Sequence, residues 1–128
     1  MTSVEYIMLF LCEFIAPMIF IFVGVFQWRF PPQEIGAIGY RTTMAEKNQL
    51  TWDMAQTTFG KYSLIMGIAS ILVAVATGVP MMLLRPAEDT ATAIVILACV
   101  VQSILVFTAI FLTEKKLNKY FNKDGTPK

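Results

Sequence analysis

Residues 62–84 read YSLIMGIASILVAVATGVPMMLL, twenty-three residues without one charged side chain. A helix needs about 20 apolar residues to cross a hydrocarbon core of roughly 30 Å. This run therefore predicts a membrane span. Two more runs stand either side of it. Residues 91–112 are also uncharged, and residues 7–26 are apolar apart from Glu13 and Pro17. Three such runs in 128 residues leave no room for a soluble domain of ordinary composition, since only 15% of the chain is charged.

The first run must tolerate its glutamate. It holds thirteen Leu, Ile, Phe or Val residues, together favouring insertion by roughly 4 to 8 kcal/mol. One central carboxylic acid costs on the order of 3 kcal/mol, so the segment still inserts. The start of the chain, Met1 to Glu5, has no Lys or Arg, and no A-x-A site follows the run. A cleavable signal peptide is not expected, and the first span reads as a retained anchor.

Within 62–84, Ser63, Gly67, Ser70, Ala74 and Gly78 recur at spacings of three and four. That puts five small residues on one helical face, where backbones can approach closely. This face is the expected packing seam. Pro80 frees the carbonyl of Ala76 and is expected to bend the end of the helix.

Basic residues are unevenly placed. Arg29, Arg41, Lys47 and Lys61 lie between the first two spans, and Lys115, Lys116, Lys119, Lys123 and Lys128 follow the third. Only Arg85 lies between the second and third. The positive-inside rule then expects the N-terminus outside and the C-terminus in the cytoplasm.

The fold class expected is all-α, a bundle of three transmembrane helices. A single domain covers 1–128, with spans near 6–28, 61–84 and 91–113, a cytoplasmic loop 29–60 and a cytoplasmic tail 114–128. Pro31-Pro32 stops the first helix. Thr43-Met44-Ala45-Glu46 fits a capping box with Thr43 as N-cap. A short helix over 44–58 is expected to lie along the inner membrane surface, with Trp52 at headgroup level. The tail is expected to continue the third helix, its lysines facing anionic lipid.

Glu13 and Gln102 are the polar residues inside spans that need an explanation. Each lies roughly 12 to 16 Å from the same end of its span, so a contact between them is expected. Pro17 also removes the hydrogen bond that the carbonyl of Glu13 would accept. The plain role is an interhelical hydrogen bond; the sharper one is a proton or ligand site. Arg41 could bind lipid phosphate, pair with Asp53 or Glu46, or grip a ligand carboxylate.

Enzymatic chemistry has little to work with. The chain has no histidine, so the usual base and most zinc patterns are missing. Cys12 and Cys99 both sit in apolar runs and read as small hydrophobes. No G-x-S-x-G or H-E-x-x-H string occurs. No enzyme, cofactor, metal or nucleic-acid partner is expected.

The string Ile38-Gly39-Tyr40-Arg41-Thr42, then Lys47-Asn48, Trp52, Ala55 and Phe59-Gly60-Lys61, resembles the SdpI family. The ending Thr113-Glu114-Lys115-Lys116-Leu117, with Phe121 and Gly125, is similar to that family's ending. The resemblance spans roughly 30–125 and marks Gly39, Tyr40, Arg41, Thr42, Asn48, Trp52 and Gly60 as motif residues. It implies a bacterial inner-membrane protein of the peptide-toxin immunity type. The partners implied are the bilayer, a hydrophobic toxin peptide and, in a signalling variant, a cytoplasmic repressor. A third reading, from the residues alone, is a membrane enzyme or transport accessory using Glu13 and Arg41.

Overall fold

The computed structural model describes residues 2–36 and 38–128. Met1 and Ala37, which the single-domain reading 1–128 includes, lie outside them. Among the described residues there are three long helices: α1 Ser3–Arg29, α2 Gln49–Leu84 and α3 Glu88–Tyr120. All three are long and apolar enough to cross a membrane. At 1.5 Å per residue α2 is about 54 Å long, so it outruns the hydrocarbon by several turns.

The helix ends follow local chemistry. Thr2 caps α1 through a reciprocal box with Glu5. Asn48 caps α2: its side chain accepts from the Thr51 amide, and the Thr51 hydroxyl oxygen accepts from the Asn48 amide, both at 3.0 Å. Arg85 ends α2 in the left-handed region at φ 45°. Its guanidinium donates to the Ser3 hydroxyl and lies over the Tyr6 ring.

The expected surface helix over 44–58 is not a separate element. Residues 43–48 form turns, and the chain from Gln49 is one unbroken helix into the second span. Thr43 caps nothing. The Ala45 amide donates to Thr42 Oγ1, and the Glu46 amide to the Thr42 carbonyl. The turn places Met44 and Ala45 in a buried cluster with Tyr40, Ala55, Leu117 and Phe121. A better-formed cap at Asn48 and this tertiary cluster together outweigh the local signal at Thr43.

α2 is the central element, packed along α1 and against α3, whereas α1 and α3 meet sparsely. The α1–α2 seam is made of small residues. A Cβ on Gly60 would sit 2.6 Å from the Trp28 amide nitrogen, and one on Gly24 the same distance from that of Leu64. Further along, Gly67 lies against Ile21, and Gly78 against Phe10 and Glu13. Ser63 donates to the Phe20 carbonyl at 2.9 Å. Ser70 and Ala74 are fully buried between these positions. Side chains at Gly24 or Gly60 would hold the helices apart, because the opposing atoms there are backbone.

Outside this seam the surface is lipid-like. Ile15, Phe22, Leu72, Ile104 and Phe107 are each more than half exposed. In a soluble protein such patches would drive association, whereas in a bilayer they face their solvent.

Candidate functional site

Nine of the ten basic residues gather at one end of the bundle, where α1 ends, α2 starts and α3 ends. Loop residues 30–36 and 38–48 and the tail 121–128 cover that end as a folded cap. Its centre is Tyr40. The Tyr40 amide donates to Gln56 Oε1 at 2.8 Å, and Gln56 Nε2 donates to the Tyr40 carbonyl at 2.6 Å. One buried amide side chain thus satisfies both backbone groups of a loop residue that no strand or helix pairs.

Gly39 makes this clamp possible. Its φ is +123°, which favours glycine, and a Cβ there would run into Gln56 Oε1 and Pro32. The Tyr40 ring stacks on Phe59 at 4.7 Å. Its hydroxyl donates to Glu114 Oε1 at 2.6 Å, and the Thr42 hydroxyl donates to the same oxygen at 2.6 Å. A carboxylate oxygen can accept both. Burial first, and then the hydrogen bond and charge of Glu114, push the Tyr40 phenol well above its ordinary value.

Trp52 is fully buried, and its indole donates to the Pro32 carbonyl at 2.7 Å. It pins the loop inside the cap, so the ring is enclosed by protein and presents no face to lipid headgroups. Asn48 has two roles. Besides capping α2, its Nδ2 donates to the Gly125 carbonyl at 2.7 Å, tying the tail to the loop. Gly125 has φ +89° and lies against Lys47 and Asn48. The tail holds its own turn through Asn122–Thr126 and Gly125–Asn122 backbone bonds.

The motif residues therefore divide. Gly39, Tyr40, Thr42, Asn48 and Trp52 build one cap; Gly60 builds the adjoining α1–α2 crossing. Arg41 alone points outward, 3.4 Å from Glu46 in a pair more than a third exposed on both sides. Of its expected pairings the geometry holds Glu46. Gln56 and Glu114 are central partners that the sequence reading passed over. The signal was available for Gln56: it lies one turn after Trp52, on the face that carries Ala55 and Asn48. Glu114 stands out only as one of two acids, with Asp124, among the tail lysines.

A second polar cluster lies inside the spans. Gln102 Nε2 donates to the Glu13 carbonyl at 2.9 Å and to the Ser70 carbonyl at 3.3 Å. Pro17 has no N–H to offer the Glu13 carbonyl, so α3 supplies the missing donor. The Glu13 carboxyl is fully buried; Oε2 accepts from Thr77 at 3.0 Å, while Oε1 has no partner among the described residues. Tyr6 closes the far end by donating to the Pro86 carbonyl.

Glu13 and Arg41 are not brought together. Glu13 meets α2 at Thr77, whereas Arg41 belongs to the cap held by Gln56. Those two positions are 21 residues apart on one helix, or roughly 30 Å. No group of three metal-ligating side chains occurs among the described residues.

Neither curated proteins nor solved structures provide a match to the chain. The model for the SdpI/YfhL protein family matches residues 34–113, from the cap loop to the end of the third span. That stretch holds Tyr40, Gln56, Gln102 and the small-residue face of α2, and it covers more than half of the sequence. The chain belongs to the SdpI/YfhL protein family.

Proposed function

We propose that the protein protects the cell that carries it from a secreted antimicrobial peptide. It does so without catalysis, by binding or excluding a hydrophobic peptide in the bilayer. The observation that carries this reading is the family match over 34–113, on a chain with three membrane-length helices. The sparse contact between α1 and α3 supports it. It leaves a groove of about 410 Å³ open to lipid, lined by Cys12, Ile15, Ile19, Cys99, Gln102 and Val106. An apolar peptide fits such a lining. The protein sits in the bacterial inner membrane with its N-terminus outside and its capped end in the cytoplasm. The gathering of basic residues at that end supports this orientation.

Deleting the gene and challenging the cells with the killing peptide of their own culture supernatant tests the reading. Increased sensitivity, restored by the wild-type gene, is the expected result. Unchanged sensitivity would overturn it.

A second reading is a membrane anchor that holds a cytoplasmic repressor. Ile38 and Leu50 favour it, being 80% and 58% exposed beside the buried motif. Ile38→Glu with Leu50→Glu would then release the repressor while leaving peptide resistance unchanged. The third reading, a membrane enzyme or transport accessory, needs Glu13 and Arg41 to act separately.

A further inference from the structure

One groove at the capped end differs from the rest of the surface. It runs between α2 and α3, holds about 340 Å³, and is lined by Tyr62, Leu112, Lys115, Lys116, Lys119 and Tyr120. On α3 these positions recur at spacings of three and four, so they share one face. No acidic residue lines it. The nearest acid in sequence, Glu114, is turned away and engaged by Tyr40 and Thr42. The ion pair found among the described residues is Arg41–Glu46, which leaves the three lysines without a carboxylate. Leu112 forms the groove's membrane-side edge, next to Phe111, which is 64% exposed. The groove therefore begins where the hydrocarbon-facing surface stops.

We propose that this groove binds the headgroup of an anionic phospholipid. Three uncompensated ammonium groups supply the charge complement to a phosphate. Two tyrosine hydroxyls can donate to its oxygens, and tyrosine is favoured at this depth. The acyl chains continue along Leu112 and Phe111. A free phosphate would use the lysines but leave that apolar continuation empty, so the lipid is the better occupant. This site is independent of the peptide groove, which lies between α1 and α3.

The test uses the purified full chain in neutral detergent. Native mass spectrometry measures retained lipid as phosphatidylglycerol, phosphatidylcholine or soluble glycerol phosphate is titrated. Phosphatidylglycerol is expected to bind, and the other two are not. Each lysine contributes roughly fivefold in affinity, so Lys115→Gln with Lys119→Gln lowers it about 25-fold. Lys123→Gln with Lys128→Gln removes the same charge outside the groove and is expected to change affinity less than twofold. The single Lys119→Gln, at an exposed position, is expected to cost about fivefold and serves if the double variant does not fold. Equal losses in the groove and control variants would overturn the proposal, since charge alone would then explain binding. Equal retention of phosphatidylcholine, or binding of glycerol phosphate as tightly as the lipid, would overturn it too.

Discussion

Gln56→Met is the substitution that most directly probes the cap. Methionine keeps the volume and length of the side chain, so packing changes little. It removes the donor and the acceptor that serve the Tyr40 backbone at 2.6 and 2.8 Å. Each buried backbone group left without a partner costs about 1 to 3 kcal/mol. Two give about 2 to 6, and a value near 3 allows for water reaching one of them when the cap loosens. The loss falls on the cap, because Gln56 does not touch the α1–α3 groove or the Glu13 cluster. A local opening made easier by about 3 kcal/mol is over a hundredfold more populated. Hydrogen exchange over residues 38–56, followed by mass spectrometry, reads this population. Exchange there should speed up about a hundredfold, with residues 62–84 unchanged. In a Trp28→Phe background, the emission of Trp52 should also become open to a water-soluble quencher. Unchanged exchange and an equally shielded Trp52 would refute the clamp.

Three further outcomes follow from the geometry. Gln102→Leu should destabilise the bundle by about 1 to 2 kcal/mol, and by less in a Pro17→Ala background. Alanine restores the N–H that the Glu13 carbonyl lacks, so unfolding curves of the four proteins should show that coupling. Gly60→Leu should separate α1 from α2 and cost about 3 kcal/mol or more, because the Cβ meets backbone at 2.6 Å and neither helix can yield cheaply; a disulfide-trapping distance between the two helices should widen. Tyr40 gives a pH signature. Its phenol is raised above the ordinary value of 10.0, so its contribution is complete below about pH 10 and is lost as pH climbs further. Wild-type stability should fall more steeply than that of Tyr40→Phe above pH 10 in detergent, and parallel curves would contradict the burial of the hydroxyl.

The three spans were legible because lipid imposes a simple demand, a long apolar run with every backbone group bonded internally. The small-residue face of α2 was legible for a related reason: close approach needs small side chains at fixed helical spacing. Local cap chemistry was less reliable. Thr43 and Asn48 carry similar signals, and only Asn48 closes a reciprocal box and also reaches Gly125. Which one starts the helix depends on where Met44 and Ala45 are buried. The burial of Trp52 was hidden for the same reason. An indole is equally at home in a headgroup layer or under a loop, and the Pro32 carbonyl decides between them.

The sequence by itself determined a three-span membrane protein, its charge asymmetry and the family it belongs to, since each is written in composition or in an ordered string. The Glu13–Gln102 link was visible only as a matter of depth. The tertiary structure decided that Gln102 serves the carbonyl orphaned by Pro17. It also decided that the motif Gly39-Tyr40-Arg41-Thr42 is mostly an interior device, closed by Gln56 and Glu114 from two other parts of the chain. Hydrogen-bond partners 16 and 74 residues away from Tyr40 leave no periodicity in the sequence, so only the folded geometry reveals them.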